Sequence, residues 1–421
     1  MGKRQTKGQE LIRFLEENRE SRLWRAGPGK EGETIEKTGK LQNQEKPGTA
    51  EFPEQIFPFG QEPKLEERCC QLIAGLAGGK KLTKEEWELV LSVKTQKTAG
   101  LLFRTARRIR EHFYGKRVFI RGLIEFTNYC RRDCYYCGIR RSSREAKRYR
   151  LTEKEILSAC EEGYQLGFRS FVLQGGEDVY PGAELDLAET VRQIREMYPD
   201  CAVTLSVGER PKDIYRLWFQ AGAERYLLRH ETADEEHYRR LHPVDQTGVQ
   251  RKECLRNLKE IGYQTGAGMM IGSPGQTSGH LAEDLMFLEE LQPEMVGIGP
   301  FIPHHDTPFA GEKQGELELT LYVLGLVRLL LPRVLLPATT ALGTIEPRGR
   351  ELGLLCGANV VMPNLTPREV RENYLLYDNK LCTGSEAAEG LIKLRRSVEA
   401  IGYEIVAERG DMYGFCRKKH F

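Results

Sequence analysis

The chain lacks any uninterrupted apolar run long enough to cross a membrane. Its best candidate, around Leu321 to Leu331, is interrupted by Arg328 and is too short. The first residues also lack the charged and apolar pattern of a secretory leader. We therefore expect a soluble, cytoplasmic protein with no membrane partner.

Net charge is nearly absent as well, since 63 Lys and Arg residues stand against 61 Asp and Glu residues, a balance of +2. This balance argues against a nucleic-acid partner and against an acidic tail. A local excess of positive charge lies between Arg131 and Arg150, where eight Lys and Arg residues accompany Asp133 and Glu145. The stretch could steer an anionic substrate or dock a partner protein, but a solvated loop is the favoured interpretation, because no RNA-binding motif lies near it.

Neither a disulfide framework nor a closed zinc site is expected. The eleven cysteines are spread unevenly over 421 residues without a leader, which suits a reducing compartment. A structural zinc ion needs four ligands, and the sequence has no second C-x-x-C pair. His230 and His237 also do not stand at the distance from the grouped cysteines that a zinc-knuckle motif requires.

Three grouped cysteines are the most informative feature of the sequence. Cys130, Cys134 and Cys137 stand in the run Phe126-Thr-Asn-Tyr-Cys-Arg-Arg-Asp-Cys-Tyr-Tyr-Cys-Gly138, directly after a β-branched stretch that predicts a strand. Thiolates spaced C-x3-C-x2-C can hold a 4Fe–4S cluster through three of its four irons. The fourth iron stays open to a small molecule, so such a cluster can react. Zinc binding and unligated thiols remain the alternatives.

The first part of the chain differs in composition from the rest. Residues 1–62 are rich in Lys, Glu, Gln and Gly and poor in aliphatic side chains, so we expect a disordered polar tail. Residues 63–115 turn to a helical pattern, with Leu72, Ile73 and Leu76 on one face and Thr83 as an N-cap. This segment predicts a helical prelude to the main domain.

From Arg117 onward, short apolar runs alternate with amphipathic helical patterns. Such alternation predicts a parallel sheet, and eight runs buried on both faces favour a closed (β/α)8 barrel of the TIM type over an open doubly wound sheet. The fold class is therefore α/β, with the barrel over residues 116–366 and a C-terminal helical extension over 367–421 that closes it. The predicted strands are Val118–Thr127, Ser170–Gly175, Ala202–Val207, Arg225–His230, Thr265–Ile271, Met295–Ile302, Val334–Ala341 and Asn359–Met362.

Candidate functional residues fall at the predicted carboxyl ends of these strands, where the loops of such a barrel gather. Arg229 and Glu231 stand two apart on a predicted strand, so their side chains should share a face. There an Arg fork can bind carboxylates and a Glu can hold hydroxyl groups or an amine. The alternative is a structural ion pair with a neighbour such as Arg251. His230 should point the other way and pack. The other strand-end segments are Gln174–Glu177, Gly268–Gly272, Pro303–His305, Thr339–Thr340 and Met362–Asn364.

The Cys spacing, with Tyr136 before the last Cys, resembles that of the radical S-adenosylmethionine (SAM) enzymes. The turn of Gly175, Gly176 and Glu177 resembles the GGE motif of that family. The resemblance implies that the methionyl part of SAM chelates the open iron and that the reduced cluster cleaves SAM to a 5′-deoxyadenosyl radical. It also implies that Tyr136 lies beside the adenine. The residues expected to hold SAM are Tyr136, Gln174, Gly175, Gly176, Glu177, Glu231, Arg251 and Met270.

From about Lys64 to Ile401 the sequence is similar to the HydE family of FeFe-hydrogenase maturation enzymes, relatives of biotin synthase and methylornithine synthase. The resemblance implies a single barrel with an internal cavity and an iron–carbonyl–cyanide–cysteine substrate. It also implies work beside the HydG and HydF maturases. The expected cavity residues are Gln174, Thr204, Arg229, Thr339, Thr340, Met362 and Tyr377, with Arg229 meeting anionic groups. The stretches that carry the similarity are Leu228-Arg-His-Glu-Thr232, Thr265-Gly-Ala-Gly268, Val296-Gly-Ile-Gly-Pro-Phe-Ile-Pro303, Pro337-Ala-Thr-Thr-Ala341 and Cys356-Gly-Ala-Asn-Val360.

The chain departs from some HydE proteins, which carry a second cluster on three cysteines near the C-terminus. Here Cys382 is present, but residues 383–395 contain no further Cys, so we expect no auxiliary cluster. Cys201 stands at the N-terminal end of its predicted strand, which argues against the sulfur insertion of biotin synthase. Two other functions stay open: another small-molecule radical SAM reaction, such as that of a methylornithine synthase-type mutase, and a non-catalytic iron–sulfur carrier.

Overall fold

The computed structural model describes residues 57, 58, 60, 62–381 and 387–415. Most of the predicted disordered tail lies outside the described residues, as does Cys382. The predicted prelude forms three helices, of which the second is N-capped by Thr83 in a full capping box with Glu86. These helices are α1 (Pro63–Ala77), α2 (Lys84–Ser92) and α3 (Gln96–Tyr114).

Beyond the prelude, strands and helices alternate as the sequence predicts. The strands are β1 (Arg117–Ile120), β2 (Gly122–Thr127), β3 (Ser170–Gly175), β4 (Ala202–Ser206), β5 (Ala223–Leu227), β6 (Gln264–Ile271), β7 (Met295–Pro300), β8 (Val360–Val361) and β9 (Glu404–Val406). The helices are α4 (Glu153–Gln165), α5 (Ala183–Met197), α6 (Lys212–Ala221), α7 (Glu235–Leu241), α8 (Gly248–Ile261), α9 (Ser278–Leu291), α10 (Leu317–Leu330), α11 (Thr340–Ile345), α12 (Gly349–Leu355), α13 (Arg368–Arg371) and α14 (Ala387–Ala400).

Hydrogen bonds join the strands into a ring. Strands β2 to β7 pair in order, all parallel. Beyond β7, Leu335 bridges to Met295 and Pro337 bridges to Val360. The ring then closes through the pairing of β8 with β1 and through a bridge between Leu123 and Asn364. The predicted barrel is thus confirmed over the alternative of an open sheet.

Two predicted strands need correction. The segment Val334–Ala341 forms only the two bridges at Leu335 and Pro337, and Thr340 already begins α11. Proline has no N–H to donate to a ladder, which limits this segment to isolated bridges. The predicted strand Val118–Thr127 forms two strands, β1 and β2, which are separated by Arg121. On the same side of the strand, β1 pairs with β9 and β2 pairs with β3.

The C-terminal segment closes the amino end of the barrel. Strand β9 adds to β1, and Asp411 lies just beyond it. The Asp411 carboxylate accepts bonds from Arg225 Nη2 at 2.7 Å and from Gln264 Nε2 at 2.9 Å, both on inward positions of the barrel wall. The prediction of a purely helical extension was therefore incomplete, since part of it is a strand.

The helices surround the ring and bury its outer face. Helix α10 is buried along almost its whole length, with Leu321, Tyr322 and Leu326 fully covered. Among the described residues, no helix combines the length and the apolar character that a membrane span requires.

Candidate active site

The cysteine loop follows β2 at the carboxyl end of the barrel and is fixed by its own backbone. The N–H of Cys137 donates to the carbonyl of Cys134 at 3.2 Å, and the N–H of Tyr135 donates to the carbonyl of Leu241 at 3.0 Å. Cys130 Sγ accepts a bond from the N–H of Glu177 at 3.3 Å. All three predicted cluster ligands are partly buried at the same rim.

Burial favours the protonated form of the three thiols. Burial raises the pKa of Cys137 to about 12, and burial also raises the pKa values of Cys130 and Cys134. Thiols in such a site are protonated at neutral pH unless a metal ion displaces the proton.

The spacing of the thiols argues for several metal ions rather than one. Within the described part of the chain, the one group of three potential ligand atoms within 4.8 Å of one another is that of His304, His305 and Asp378. The three cysteine sulfurs do not form such a group, so at least one pair of them is more than 4.8 Å apart, whereas thiolates on one zinc ion lie about 3.8 Å apart given Zn–S bonds of about 2.3 Å. A cubane cluster, in which each Cys binds a different iron, suits this wider spacing.

The group around His305 satisfies its own hydrogen-bonding needs. His305 contacts Asp378 through Nδ1 at 2.6 Å and Glu145 through Nε2 at 2.7 Å. His304 Nδ1 accepts a bond from the N–H of Asp306 at 3.1 Å and is buried. The histidine pair therefore holds three loops together at the barrel mouth.

The two glycines of the GGE turn are required by the cysteine loop. A Cβ atom on Gly176 would lie 2.2 Å from the carbonyl oxygen of Tyr129 and 2.7 Å from Cys130 Cβ. A Cβ atom on Gly175 would lie 2.7 Å from Thr127 Cγ2. Only glycine allows this approach of backbone to backbone. The turn thus positions the cysteine loop by direct contact, in addition to any contact that it makes with a ligand.

Glu177 is buried and lies among positive charges. Its Oε2 accepts bonds from Arg131 at 3.0 Å and Arg132 at 2.7 Å, and its Oε1 accepts from the N–H of Glu209 at 2.7 Å. Burial alone raises the pKa of Glu177, but Arg251 and Arg132 outweigh burial and lower it. The carboxylate is therefore ionised and braces the cysteine loop, and its contact with SAM stays a prediction.

Arg251 and Tyr136 form one wall of the site. Arg251 Nε lies 2.7 Å from Glu209 Oε1, so Glu209 is its ion-pair partner. The hydroxyl of Tyr136 lies 3.1 Å from His242 Nε2. Tyr136 also packs on the small apolar cluster that includes Met270. Three of the residues expected to hold SAM thus lie close to one another beside the cysteine loop.

Arg229 and Glu231 do face each other, although not for the predicted reason. Strand β5 ends at Leu227, and Glu231 has a left-handed backbone with φ of 67°. The Arg229 Nη2 to Glu231 Oε2 distance is 3.0 Å. His230 points away and is fully buried, with Nε2 at 3.2 Å from Asp284 Oδ1, as expected for a packed histidine.

Two glycines on β7 leave room inside the barrel. A Cβ atom on Gly297 would meet nothing closer than Arg229 Cδ at 3.8 Å. A Cβ atom on Gly299 would lie 3.2 Å from Thr339 Oγ1. A side chain in these positions would fill space that the chain leaves to Arg229, Thr339 and any ligand between them.

Several polar atoms around this space have no hydrogen-bond partner within the described residues. Because a buried polar atom without a partner is costly, such atoms indicate a ligand that completes them. Arg229 and Glu231 touch as an ion pair, yet their facing atoms lack hydrogen-bond alignment. The atoms are Thr204 Oγ1, Arg229 Nε and Nη2, Glu231 Oε2 and Thr339 Oγ1.

The remaining predicted cavity residues lie around the mouth of the barrel. Gln174 Nε2 reaches the hydroxyl of Tyr374 at 3.4 Å. Thr340 opens α11, while Met362 and Tyr377 are half-buried on the segments after β8 and after α13.

The sequence interpretation missed a buried ion pair between Glu125 on β2 and Lys380. A charged residue within the apolar strand Gly122–Thr127 was the available signal for Glu125. No signal marked Lys380, because its partner lies 255 positions away.

Comparison with known proteins gives one family and several relatives. A sequence profile of the Radical SAM superfamily matches residues 124–288. The FeFe hydrogenase maturase subunit HydE of Thermotoga maritima is 46% identical over 323 residues, which are 77% of this chain and 92% of that protein. The 3-methylornithine synthase of Methanosarcina barkeri is 30% identical over 307 residues, 72% of this chain and 85% of that protein.

Solved structures share the same fold. The structure of methylornithine synthase (PylB) superposes with a TM-score of 0.70 at 28% identity, covering 80% of this chain and 97% of that one. The FeFe-hydrogenase maturase HydG of Carboxydothermus hydrogenoformans gives a TM-score of 0.70 at 19% identity, covering 84% and 81%. The second likeness concerns the fold alone.

Proposed function

Since the chain belongs to the HydE family of radical SAM enzymes, we propose that it acts in FeFe-hydrogenase maturation on a small substrate held inside its barrel. The enzyme binds a 4Fe–4S cluster and SAM, which together supply a 5′-deoxyadenosyl radical. The observation that carries the proposal is the group of partnerless polar atoms inside a barrel whose rim bears the three cysteines.

The cluster side of the site is assigned to the rim. Cys130, Cys134 and Cys137 are the iron ligands, and Glu177 braces their loop through Arg131 and Arg132. The buried Arg251 guanidinium supplies positive charge next to the cluster loop, which suits the carboxylate of SAM. The other residues proposed to hold SAM are Tyr136, Gln174, Gly175, Gly176, Glu231 and Met270.

The substrate side is assigned to the barrel interior. Arg229 Nε has no hydrogen-bond partner among the described residues and is offered to an anionic or strongly accepting group, while Arg229 Nη2 is already paired with Glu231 Oε2. Thr204 and Thr339 offer hydroxyls. The other residues proposed to line the cavity are Thr340, Met362 and Tyr377.

The proposed substrate is an iron–carbonyl–cyanide–cysteine precursor, which the enzyme converts while the dithiolate-bridged diiron unit is assembled. The proposed partners are the HydG and HydF maturases, and the proposed compartment is the cytoplasm. The small anionic ligands and the amino-acid part of such a precursor match the mixture of Arg, Thr and carboxylate groups in the cavity.

A second candidate is a carbon-skeleton rearrangement of the methylornithine synthase type. The 30% identity to a 3-methylornithine synthase over 85% of that protein favours it. Both candidates use the same cluster and SAM, so the substrate separates them.

The first experiment asks whether the protein cleaves SAM. The protein is reconstituted anaerobically with iron and sulfide and incubated with SAM and dithionite, and 5′-deoxyadenosine is measured against the cluster-free protein. We expect 5′-deoxyadenosine from the reconstituted protein alone. Equal amounts in the two samples would leave only a carrier of clusters.

The second experiment asks for the biological role. The gene is deleted in a hydrogen-producing host without a second copy, and hydrogenase activity is measured with and without complementation. We expect activity to be lost and then restored by the wild-type gene. Normal maturation in the deletion strain would contradict the proposal and favour the rearrangement.

Changing Arg229 tests the substrate side by itself. Arg229→Leu should leave the cluster content unchanged but reduce substrate turnover by roughly 10- to 150-fold, since a hydrogen bond to a charged group contributes about 1.5–3 kcal/mol. Arg229→Lys keeps the positive charge but lacks the forked guanidinium group, so its turnover should lie between that of the wild type and that of Arg229→Leu. Equal turnover in all three proteins, measured with the native substrate, would remove Arg229 from the site.

A further inference from the structure

One charged pair inside the barrel has no role in the site described so far. Glu125 lies on β2 and is 0% exposed. Its Oε1 contacts the Lys380 ammonium, and its Oε2 accepts a bond from Asn364 Nδ2 at 3.0 Å. The Lys380 ammonium also donates to the carbonyl of Tyr374 at 2.8 Å and lies 4.8 Å from the centre of the Tyr374 ring.

Glu125 points into the barrel rather than to the helices. Its neighbour Gly122 faces outward, because a Cβ atom there would meet Leu365 and Phe171, and the same two residues meet Gly163 of α4. Side chains alternate along a strand, so Glu125 lies on the opposite face, towards the lumen. A carboxylate is thus fixed in the lumen by the rigid part of the fold.

Lys380, by contrast, does not belong to the barrel wall. It lies on an irregular segment after α13, next to Asn379, whose left-handed backbone has φ of 56°. Its neighbours Asn379 and Leu381 are exposed, whereas the Lys380 side chain is only 6% exposed. The ammonium therefore reaches inward from the mouth of the barrel.

The pair adjoins the proposed substrate cavity. Glu125 is the register partner of Gln174 on the neighbouring strand β3. Gln174 in turn reaches the hydroxyl of Tyr374, the residue whose carbonyl and ring hold the Lys380 ammonium. A ligand that touches Gln174 is thus next to the position of the Lys380 ammonium.

We propose that Glu125, held in place by Asn364, and Tyr374 form a receptor for the primary ammonium group of an amino-acid-like substrate, and that Lys380 fills this receptor when no substrate is bound. A carboxylate, a carbonyl and an aromatic face around one point are the groups that bind an ammonium ion. The inference rests on the proposed function in taking the barrel interior as the substrate site.

The exchange leaves the charge of the lumen unchanged. An incoming ammonium takes the place of the Lys380 ammonium at Glu125, so the buried carboxylate stays paired throughout. A ligand without the ammonium cannot displace Lys380, because Glu125 would then be left buried and unpaired. Lys380 therefore selects for amines as well as competing with them.

The test measures binding to the cluster-loaded enzyme with SAM present. The probes are S-methyl-L-cysteine and 3-(methylthio)propionate, which differ only in the ammonium group. Lys380→Met should bind S-methyl-L-cysteine about tenfold more tightly than wild type, if Lys380 fills the receptor in nine molecules of ten. Affinity for 3-(methylthio)propionate should not improve.

Two further variants complete the test. Glu125→Gln should weaken S-methyl-L-cysteine binding at least tenfold. If this single variant fails to fold, the double variant E125Q/K380M replaces it, because it removes both charges and leaves neither unpaired. The double variant should bind the two probes equally. Lys313→Met, at an 85% exposed side chain, is the control and should match wild type.

Two outcomes would overturn the inference. If K380M lowers thermal stability without tightening the binding of S-methyl-L-cysteine, Lys380 is a structural tie. If K380M instead tightens the binding of SAM, measured alone, the receptor serves the ammonium of SAM and not that of the substrate. Cleavage of SAM by the wild-type protein is measured in parallel, so that failure of the proposed function is seen separately.

Discussion

At the scale of single residues, the cysteines differ in their structural roles. Cys254 is a buried side chain on α8 whose Sγ approaches the carbonyl of Arg210 at 3.9 Å, whereas Cys134 lies on the rim loop. Cys134→Ala should abolish cluster binding and reduce 5′-deoxyadenosine to the level of the cluster-free protein, because three thiolates are needed to hold the cluster. Cys254→Ala is the matched control and should keep both properties. Iron analysis and product formation check the result, and SAM cleavage by a folded Cys134→Ala protein would refute the ligand assignment.

His242 makes stability depend on pH. Burial, and then the charge of Arg251, lower the pKa of His242 from 6.5 to about 3. Between these values the unfolded chain binds the proton and the folded chain does not, so stability falls as pH falls from about 6.5 towards 3. His242→Gln should remove about 2 kcal/mol of this loss between pH 7 and pH 4.5. Urea unfolding of the two proteins over that range measures it, and parallel curves would contradict it.

The residues of the site were predictable where they are close together in sequence. The three cysteines and the GGE turn carry their chemistry in their spacing, so no fold is needed to find them. Glu177 shows the limit, since its partners come from two other loops: Arg131 and Arg132 from the cysteine loop, and Glu209 from the loop after β4. Lys380 and Glu125 show it more strongly, because only the folded barrel brings them together.

At the scale of elements, the glycines of β7 affect how much room the lumen has. Gly297→Ala should fold normally, because the new methyl group meets nothing closer than 3.8 Å. It should nevertheless reduce substrate turnover, since it narrows the space beside Arg229. Thermal unfolding and turnover together check this expectation.

Gly268 is the contrasting position on the neighbouring strand. Its φ is +153°, and a Cβ atom there would lie 2.0 Å from the carbonyl oxygen of Gly297. Gly268→Ala should therefore destabilise the barrel by a few kcal/mol, by strain and by separating two strands. If Gly297→Ala lowers stability as much as Gly268→Ala does, the lumen is not open at that point.

Element boundaries were predicted well where apolar runs end in turn residues. The bounds of β3 match the prediction, because Gly175 and Gly176 end the apolar run. Strand β5 begins and ends earlier than predicted, and Glu231 beyond it takes a left-handed backbone that its residue type does not indicate. The run Val334–Ala341 is as apolar as a strand, but Pro337 and the start of α11 at Thr340 limit it to bridges.

At the scale of the whole molecule, stability depends on the segment that closes the amino end of the barrel. Asp411→Ala should lower the free energy of unfolding by about 3 kcal/mol or more, because Arg225, which is 0% exposed, loses its carboxylate. Glu408→Ala removes an exposed pair with Arg117 and should cost less than about 1 kcal/mol. Denaturant unfolding of both variants measures the difference, and equal losses would show that the closure contributes little.

The barrel and its helical prelude were predictable because short apolar runs and amphipathic helical patterns extend over most of the chain. The closure by the C-terminal segment was not. Strand β9 has three residues, and its pairing with β1 is set by a contact across nearly 300 positions. Short segments of this kind carry too little pattern to be recognised before the fold is known.

The ring of strands also determines at what point during synthesis the fold can be completed. The N–H of Glu125 bonds to Thr366 Oγ1, which is 241 positions away, and Asp411 reaches Arg225 only after that. A ribosome must therefore deliver almost the entire polypeptide before the first strand finds both of its neighbours. Until then β-strand edges stay uncovered, so this protein is expected to depend on chaperones during synthesis.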